Sequence, residues 1–251
     1  MRALLLLVAA LAACAAPTRS AEPVPLTVAT ADWRILGESR EGRPVRATDL
    51  GAGGPRVAII AGIHGDEQEG LRHLDELLGV LAPLPATVRV YEDANPDGTA
   101  ANRRGTSTGV DPNRNWPASN FKRDPRRGPS PLSEPAVAAI HADLVAFRPE
   151  LVFVLHSTPR GPFVNYDGPG QGFSERFVVA AGSPWTVQPS MGYPTPGSIG
   201  TWIGVDQQIP ILTIEFRRGC SRGESGPPLM RGMTAVLREG PVPAAAAPRV
   251  D

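Results

Sequence analysis

Three short apolar runs constrain this chain more than any other feature: Arg56–Gly62 (RVAIIAG), Leu151–Leu155 (LVFVL) and Ile209–Phe216 (IPILTIEF). Each has the length and composition of a strand buried on both faces. Between them the apolar period changes. Leu71, Leu74, Leu77, Leu78 and Leu81 form a helical stripe over Gln68–Leu81. Ser133 is placed to cap a helix running to about Phe147, with Val137, Ile140, Leu144 and Phe147 on one face. Thr87–Tyr91 reads as one more strand. The alternation predicts an α/β fold, a single domain whose mixed, largely parallel central sheet is flanked by helices. A chain of 251 residues suffices for one such domain with a buried core.

The two ends differ from the middle. Met1-Arg2 precedes the apolar run Ala3–Ala13, too short to span a bilayer at about 20 residues but right for a signal peptide. Residues 1–13 are therefore expected to direct export. Leu11-Ala-Ala-Cys14 resembles the lipobox of bacterial lipoproteins, in which Cys14 carries the lipid; the plainer reading is a simple signal peptide that discards Cys14. Residues 14–31, rich in Pro, Ala and Thr, read as a tether. The domain is expected over 32–240, and 241–251 as a disordered tail. With Cys14 engaged or removed, Cys220 is alone, so no internal disulfide supports the fold. Lys+Arg and Asp+Glu are 25 each, which leaves no basic field for nucleic acid. Only Lys122 among the basic residues is lysine, so an arginine has to be argued from its motif.

The chemistry sits where the strands end. Arg56–Gly62 runs into His64-Gly-Asp-Glu67, and Leu151–Leu155 into His156-Ser157. Strand carboxyl ends form the usual ligand crevice of an α/β sheet. Two imidazoles and a carboxylate suit a catalytic zinc that keeps one position open. His64, Glu67 and His156 are therefore the expected ligands of one zinc ion per chain. His73 and His141 fall in helical stretches and read as surface residues. Ala94–Pro131 is polar, long and without periodicity, which in a compact domain marks a functional segment.

Five motifs then occur in the order found in zinc carboxypeptidases: His64-Gly-Asp-Glu67, Asn95-Pro-Asp-Gly98, Gly109-Val-Asp-Pro-Asn-Arg-Asn-Trp116, His156-Ser157 and Thr213-Ile-Glu-Phe216. The chain resembles that family from about Gly37 to about Phe216, and carboxypeptidase A holds its zinc with the same His₂Glu set. The resemblance implies Glu215 as general base and Arg104 as the cation that stabilises the oxyanion. Arg103 is adjacent, and a register shift of one exchanges the two. Asn113 and Arg114 match the pair that clamps a substrate carboxylate, for which a guanidinium fork suits. Asp111 matches the carboxylate that orients a zinc-bound imidazole. Tyr193 stands near the family's mobile phenol, one residue short in its spacing to Gly197. For Glu215 the bland alternative is a salt bridge to Arg217 or Arg218.

Asn165-Tyr-Asp-Gly-Pro169 and Tyr193-Pro-Thr-Pro-Gly-Ser198 resemble the murein peptide amidase branch of that family. This implies hydrolysis of the bond between γ-D-glutamate and meso-diaminopimelate in cell-wall peptides. The partners implied are a peptide or muropeptide substrate and, through Cys14, the membrane of the cell envelope or periplasm. A recycling amidase works in the cytoplasm, from which the apparent export departs. Pro112 and Phe216-Arg217 also depart from the common pattern. A general zinc carboxypeptidase, an aspartoacylase-like zinc deacylase and a non-catalytic envelope lipoprotein remain as alternatives. Oligomeric state has no sequence signal here.

Overall fold

The computed structural model describes residues 31–239. The expected signal peptide, the Cys14 anchor, most of the tether and the tail lie outside them. A hairpin opens the domain, β1 (Arg34–Glu38) and β2 (Pro44–Leu50), followed by β3 (Arg56–Ile60), α1 (Leu74–Leu81), β4 (Thr87–Tyr91), α2 (Pro96–Ala100) and α3 (Pro135–Phe147). Then come β5 (Leu151–Thr158), β6 (Phe163–Asp167), α4 (Gln171–Ala181), β7 (Thr186–Gln188), β8 (Ile211–Arg217) and α5 (Arg222–Arg238). The eight strands form one sheet in the order β1-β2-β4-β3-β5-β8-β6-β7. Its centre, β4-β3-β5-β8, is parallel, while β2 and β6 join it antiparallel. The mixed, largely parallel sheet is thus as the alternation implies.

Alternation along β5 explains why the central runs are apolar throughout. Leu151, Phe153 and Leu155 join the core on one face with α1, α4 and α5. Val152 and Val154 join the other with α3, Trp116 and Trp202. Each such side chain contributes about 1.5–3 kcal/mol when fully buried. His156 shares the parity of Val152 and Val154, so it faces the side that carries α3. β5 continues through His156 rather than stopping before it, because its pairing with β8 runs on to Thr158↔Arg217.

Several local expectations shift. The stripe from Gln68 yields a short 3₁₀ turn, Leu71–His73, and then α1. Gly70 crosses Leu155 so closely that a Cβ there would lie 2.6 Å from the leucine Cβ, and this crossing segment is not α-helical. Ser133 does not cap α3. Glu134 is its N-cap, without a side-chain bond, and Ser133 Oγ accepts from Asn115 Nδ2 at 2.9 Å instead. The last strand begins at Ile211, two residues later than expected. His73 is not a surface residue. It is buried, with Nε2 2.8 Å from Ser225 Oγ on α5. His141 is half-buried against Trp202, ring centroids 4.6 Å apart.

Candidate metal and substrate site

The segment leaving β3 is shaped by two glycines. Gly62 has φ +70°, and a Cβ on Gly65 would lie 2.0 Å from the Gly98 carbonyl carbon, so His64-Gly65 passes directly against α2. Asn95 caps α2 by accepting from Gly98 N–H at 3.1 Å. The motifs His64-Gly-Asp-Glu67 and Asn95-Pro-Asp-Gly98 are thus two sides of one backbone contact. From this turn His64 and Glu67 project toward His156 on β5.

One ligand atom from each of His64, Glu67 and His156 can be chosen so that all lie within 4.8 Å of one another, and all three residues are buried. His156 Nδ1 lies 2.7 Å from Glu67 Oε2, which also accepts from Ser157 N–H at 3.1 Å. His64 Nδ1 lies 3.0 Å from Glu67 Oε1 without hydrogen-bond geometry, and it is otherwise an orphaned buried nitrogen. Its Nε2 is 3.0 Å from Asp111 Oδ1. An imidazole held by a carboxylate on one nitrogen, with the other converging on a second imidazole and a carboxylate, fits a divalent metal of zinc's ligand preferences. Burial pushes Glu67 up, but His156 and His64 override it and hold the carboxyl well below the usual range. Asp111 is depressed likewise: burial opposes, and His64 followed by Arg104 and Arg114 prevail.

Glu215 is the parallel register partner of His156, so the two side chains stand beside each other on one face of the sheet. The carboxyl is buried, and burial followed by the nearby Glu67 charge raises its pKa against the opposing pull of His156. The salt-bridge alternative is not what forms. Arg217 pairs with Glu224 at 2.8 Å, and Arg218 reaches Asp66 at 3.3 Å and Glu67 at 3.4 Å.

Side-chain direction distinguishes Arg104 from Arg103. Arg104 donates from Nη1 to Glu67 Oε1 at 3.0 Å and from Nε to Asp111 Oδ2 at 3.1 Å. Arg103 points away, 3.8 Å from Glu41 at the surface. Asp111 also caps the 3₁₀ turn Pro112–Arg114 by accepting from Asn113 N–H at 2.9 Å. Pro112 thereby occupies the first position of a helical turn, where a missing N–H costs nothing. Asn113 Oδ1 accepts from Ile199 N–H at 3.0 Å, and its Nδ2 faces His156 Nε2 at 3.3 Å. Arg114 donates to the Asn113 carbonyl at 2.6 Å and forms no ion pair with a carboxylate among the described residues. Asn115 is structural. Fully buried, its amide donates to the Arg127 and Ser130 carbonyls at 2.6 and 3.0 Å, stapling the long loop.

These groups line one cavity of about 320 Å³ with His64, Glu67, Arg104, Arg114, His156 and Glu215 on its wall. Tyr193 lies at its rim, half-exposed, and also borders the neighbouring cleft beside Arg114. The cavity wall also includes Arg218, which sequence reasoning named only as an alternative salt-bridge partner of Glu215, and Asp167, to which it gave no role. Arg218 follows the expected base by three residues, and its contact with Glu67 is a signal only the fold supplies. Asp167 lies within the Asn165–Pro169 segment that the resemblance marked.

A family model described as the succinylglutamate desuccinylase/aspartoacylase catalytic domain matches residues 53–166. Murein peptide amidase A of Escherichia coli (strain K12) is 32% identical over 170 residues, covering 63% of this chain and 69% of that protein. The Vibrio campbellii (strain ATCC BAA-1116) murein peptide amidase A is 28% identical over 180 residues, covering 64% and 69%. Among solved structures, the murein-tripeptide amidase from Escherichia coli O157 matches with TM-score 0.71 and 26% identity over 87% of this chain and 98% of that one. Carboxypeptidase A from Helicoverpa armigera matches at TM-score 0.67 and 17% identity, over 83% and 68% of the two chains, a likeness of fold.

Proposed function

We propose, from the premise that this chain belongs to the murein peptide amidase family of metallocarboxypeptidases, that it is a zinc peptidase. Its substrate on this reading is the γ-D-glutamyl–meso-diaminopimelate bond of cell-wall peptides. The observation that carries the proposal is the pairing of His156 with Glu215 across two central strands, beside the convergent His64 and Glu67. His64, Glu67 and His156 would hold the metal, which supplies Lewis acidity toward the scissile carbonyl and the attacking water.

The chain's own residues do the rest. Glu215 takes the proton from the attacking water and returns it to the leaving nitrogen, general acid–base work that a buried carboxylate with a raised pKa suits. Arg104, whose guanidinium already lies at Glu67, donates to the oxygen on which negative charge develops. Arg114 has no carboxylate of its own and, with Asn113, grips the substrate carboxylate beside the scissile bond. Tyr193 at the rim closes over the bound peptide. Asp111 keeps His64 in the tautomer that leaves Nδ1 for the metal.

The test is mass spectrometry of muropeptides incubated with the protein. Release of diaminopimelate, stopped by a chelator, is expected; faster release of ordinary C-terminal L-amino acids would remove the murein assignment and leave a general carboxypeptidase. The deacylase reading is favoured by the family model over residues 53–166, and turnover of acetyl-aspartate above that of murein peptide would establish it. Export and lipid anchoring at Cys14 complete the proposal, supported by the sequence of residues 1–14. Cys14→Ser should abolish lipid labelling; a wild type without label would reduce the anchor to a signal peptide.

A further inference from the structure

The cavity has two halves, one on each side of Glu215 along β8. Toward the start of that strand lie Thr213 and, paired beside it on β6, Asn165. Arg114 belongs to this half: its backbone packs on Gly197, and Gly200 and Gly204 of the same segment pack on Asp167 at the end of β6. Past the end of β8 the wall is formed instead by Arg218 and by Thr158, Pro159 and Arg160, where the chain leaves β5.

This second half is positively charged, and its shape is fixed. The Thr158 carbonyl accepts from Arg218 N–H at 2.9 Å and from Gly161 N–H at 3.1 Å. A Cβ on Gly161 would lie 2.6 Å from Arg217 N, so the turn sits directly on the end of β8 and only glycine permits that approach. The Arg218 guanidinium is held at three points: Asp66 at 3.3 Å, Glu67 at 3.4 Å and the Ser157 carbonyl at 3.5 Å. All three are long for charge-assisted hydrogen bonds. They aim the fork without exhausting its five N–H donors. Arg160 is exposed and has no ion pair among the described residues. With Arg104 and Arg114 engaged elsewhere, two guanidinium groups on this wall are left for an anion that the ligand brings.

A γ-linked glutamyl residue carries such an anion. Its scissile carbonyl is the side-chain one, so its α-carboxylate stays free, three carbons away. In an α-linked peptide the α-carboxyl is itself the scissile group. We infer that Arg218, assisted by Arg160, is the specificity-determining residue for the acyl part of the substrate. It pairs with the free α-carboxylate and so selects a γ-glutamyl isopeptide over an ordinary peptide bond. The inference rests on the peptidase reading for its orientation: Arg114 takes the leaving residue's carboxylate in one half, which leaves the other half to the acyl residue. The stretch after Glu215 is also one where the sequence departs from the common pattern of its family.

Binding of the acyl fragment to the full chain tests this without turnover. Calorimetry should find L-alanyl-D-glutamate bound at least about tenfold more tightly than L-alanyl-D-isoglutamine, in which an amide replaces the α-carboxylate. Arg218→Ala should bring that ratio near one, and Arg160→Ala should lower it by less. A merely structural Arg218, supporting Glu67, would weaken both ligands alike and leave the ratio unchanged. Equal binding of the two dipeptides by the wild type overturns the inference, and needs no variant to fold. So does a ratio unchanged in a folded Arg218→Ala. A turnover arm separates the two claims, using L-alanyl-γ-D-glutamyl-diaminopimelate and its α-amidated counterpart. A carboxylate preference in binding with neither peptide cleaved sinks the peptidase reading alone. Cleavage of both with equal kcat/KM, joined to equal binding, sinks the Arg218 assignment alone.

Discussion

The two ends of the cavity are built differently. At the metal end the polar groups are engaged with one another: Asp111 with His64, Glu67 with His156, and Arg104 and Arg218 with Glu67. At the other end Arg114, near Asp111 but in no salt bridge, and Asp167 border the same space without a salt-bridge partner among the described residues. The first arrangement is preorganised and loses little freedom when reaction begins, which is what transition-state stabilisation requires. The second is left incomplete for a ligand to finish, which is what recognition requires. On the proposed reading, catalysis and selection thus lie at different parts of one cavity.

That separation is broken most severely at Glu215. Glu215→Gln should lower kcat by about 10²–10⁴-fold, the usual contribution of a general acid–base group, without loss of metal. Steady-state kinetics on a murein peptide showing more than roughly a tenth of the wild-type rate would assign the base elsewhere. Arg104→Ala should lower kcat by about 10²–10³-fold, as when an oxyanion donor is removed. Arg103→Ala is the internal control and should lie within a few-fold of wild type, since Arg103 turns toward Glu41 at the surface and lines neither the cavity nor the neighbouring cleft. An effect at Arg103 equal to that at Arg104 would erase the contrast between the two.

At the recognition end the change should fall on KM. Arg114→Ala is expected to raise KM about tenfold or more with a smaller change in kcat, since the contact exists in ground and transition states alike. Amidating the substrate carboxylate should mimic the variant and add little to it, because both remove one interaction. Additive losses would show that Arg114 serves some other group. The smallest effect concerns pH. Burial raises Glu215 above the ordinary 4.5, and the base works only when ionised. Activity should therefore fall as pH drops through that raised value, with full rate above it. An acid limb of kcat/KM centred at or below 4.5 would mean that burial does not dominate there.

Legibility in the sequence followed the same division. The metal end was readable because each ligand follows a buried apolar run, and a strand end is where such a sheet exposes side chains. β4 was read at its observed bounds for the same reason. The recognition end lay in register, which periodicity does not encode: Asp167 faces Glu215's side only because β6 joins β8 antiparallel. Arg104 and Arg103 are equivalent as letters and differ only in which way the turn after α2 aims them. His73 was misjudged because its partner, Ser225, is 152 residues away on α5. That helix opens with the capping box Ser221–Glu224 but carries Pro227 and Pro228 inside. Its opening signal is local and readable, whereas its burial against α1 and α4 is not.

The central claim is that His64, Glu67 and His156 hold one catalytic metal while Glu215 acts beside it. Elemental analysis of the purified wild type, His156→Ala and Glu215→Gln, with turnover measured on the same samples, tests it most directly. About one zinc per chain is predicted for the wild type and for Glu215→Gln, and a large loss for His156→Ala, with both variants inactive. A His156→Ala protein that keeps full zinc and full turnover would contradict the account.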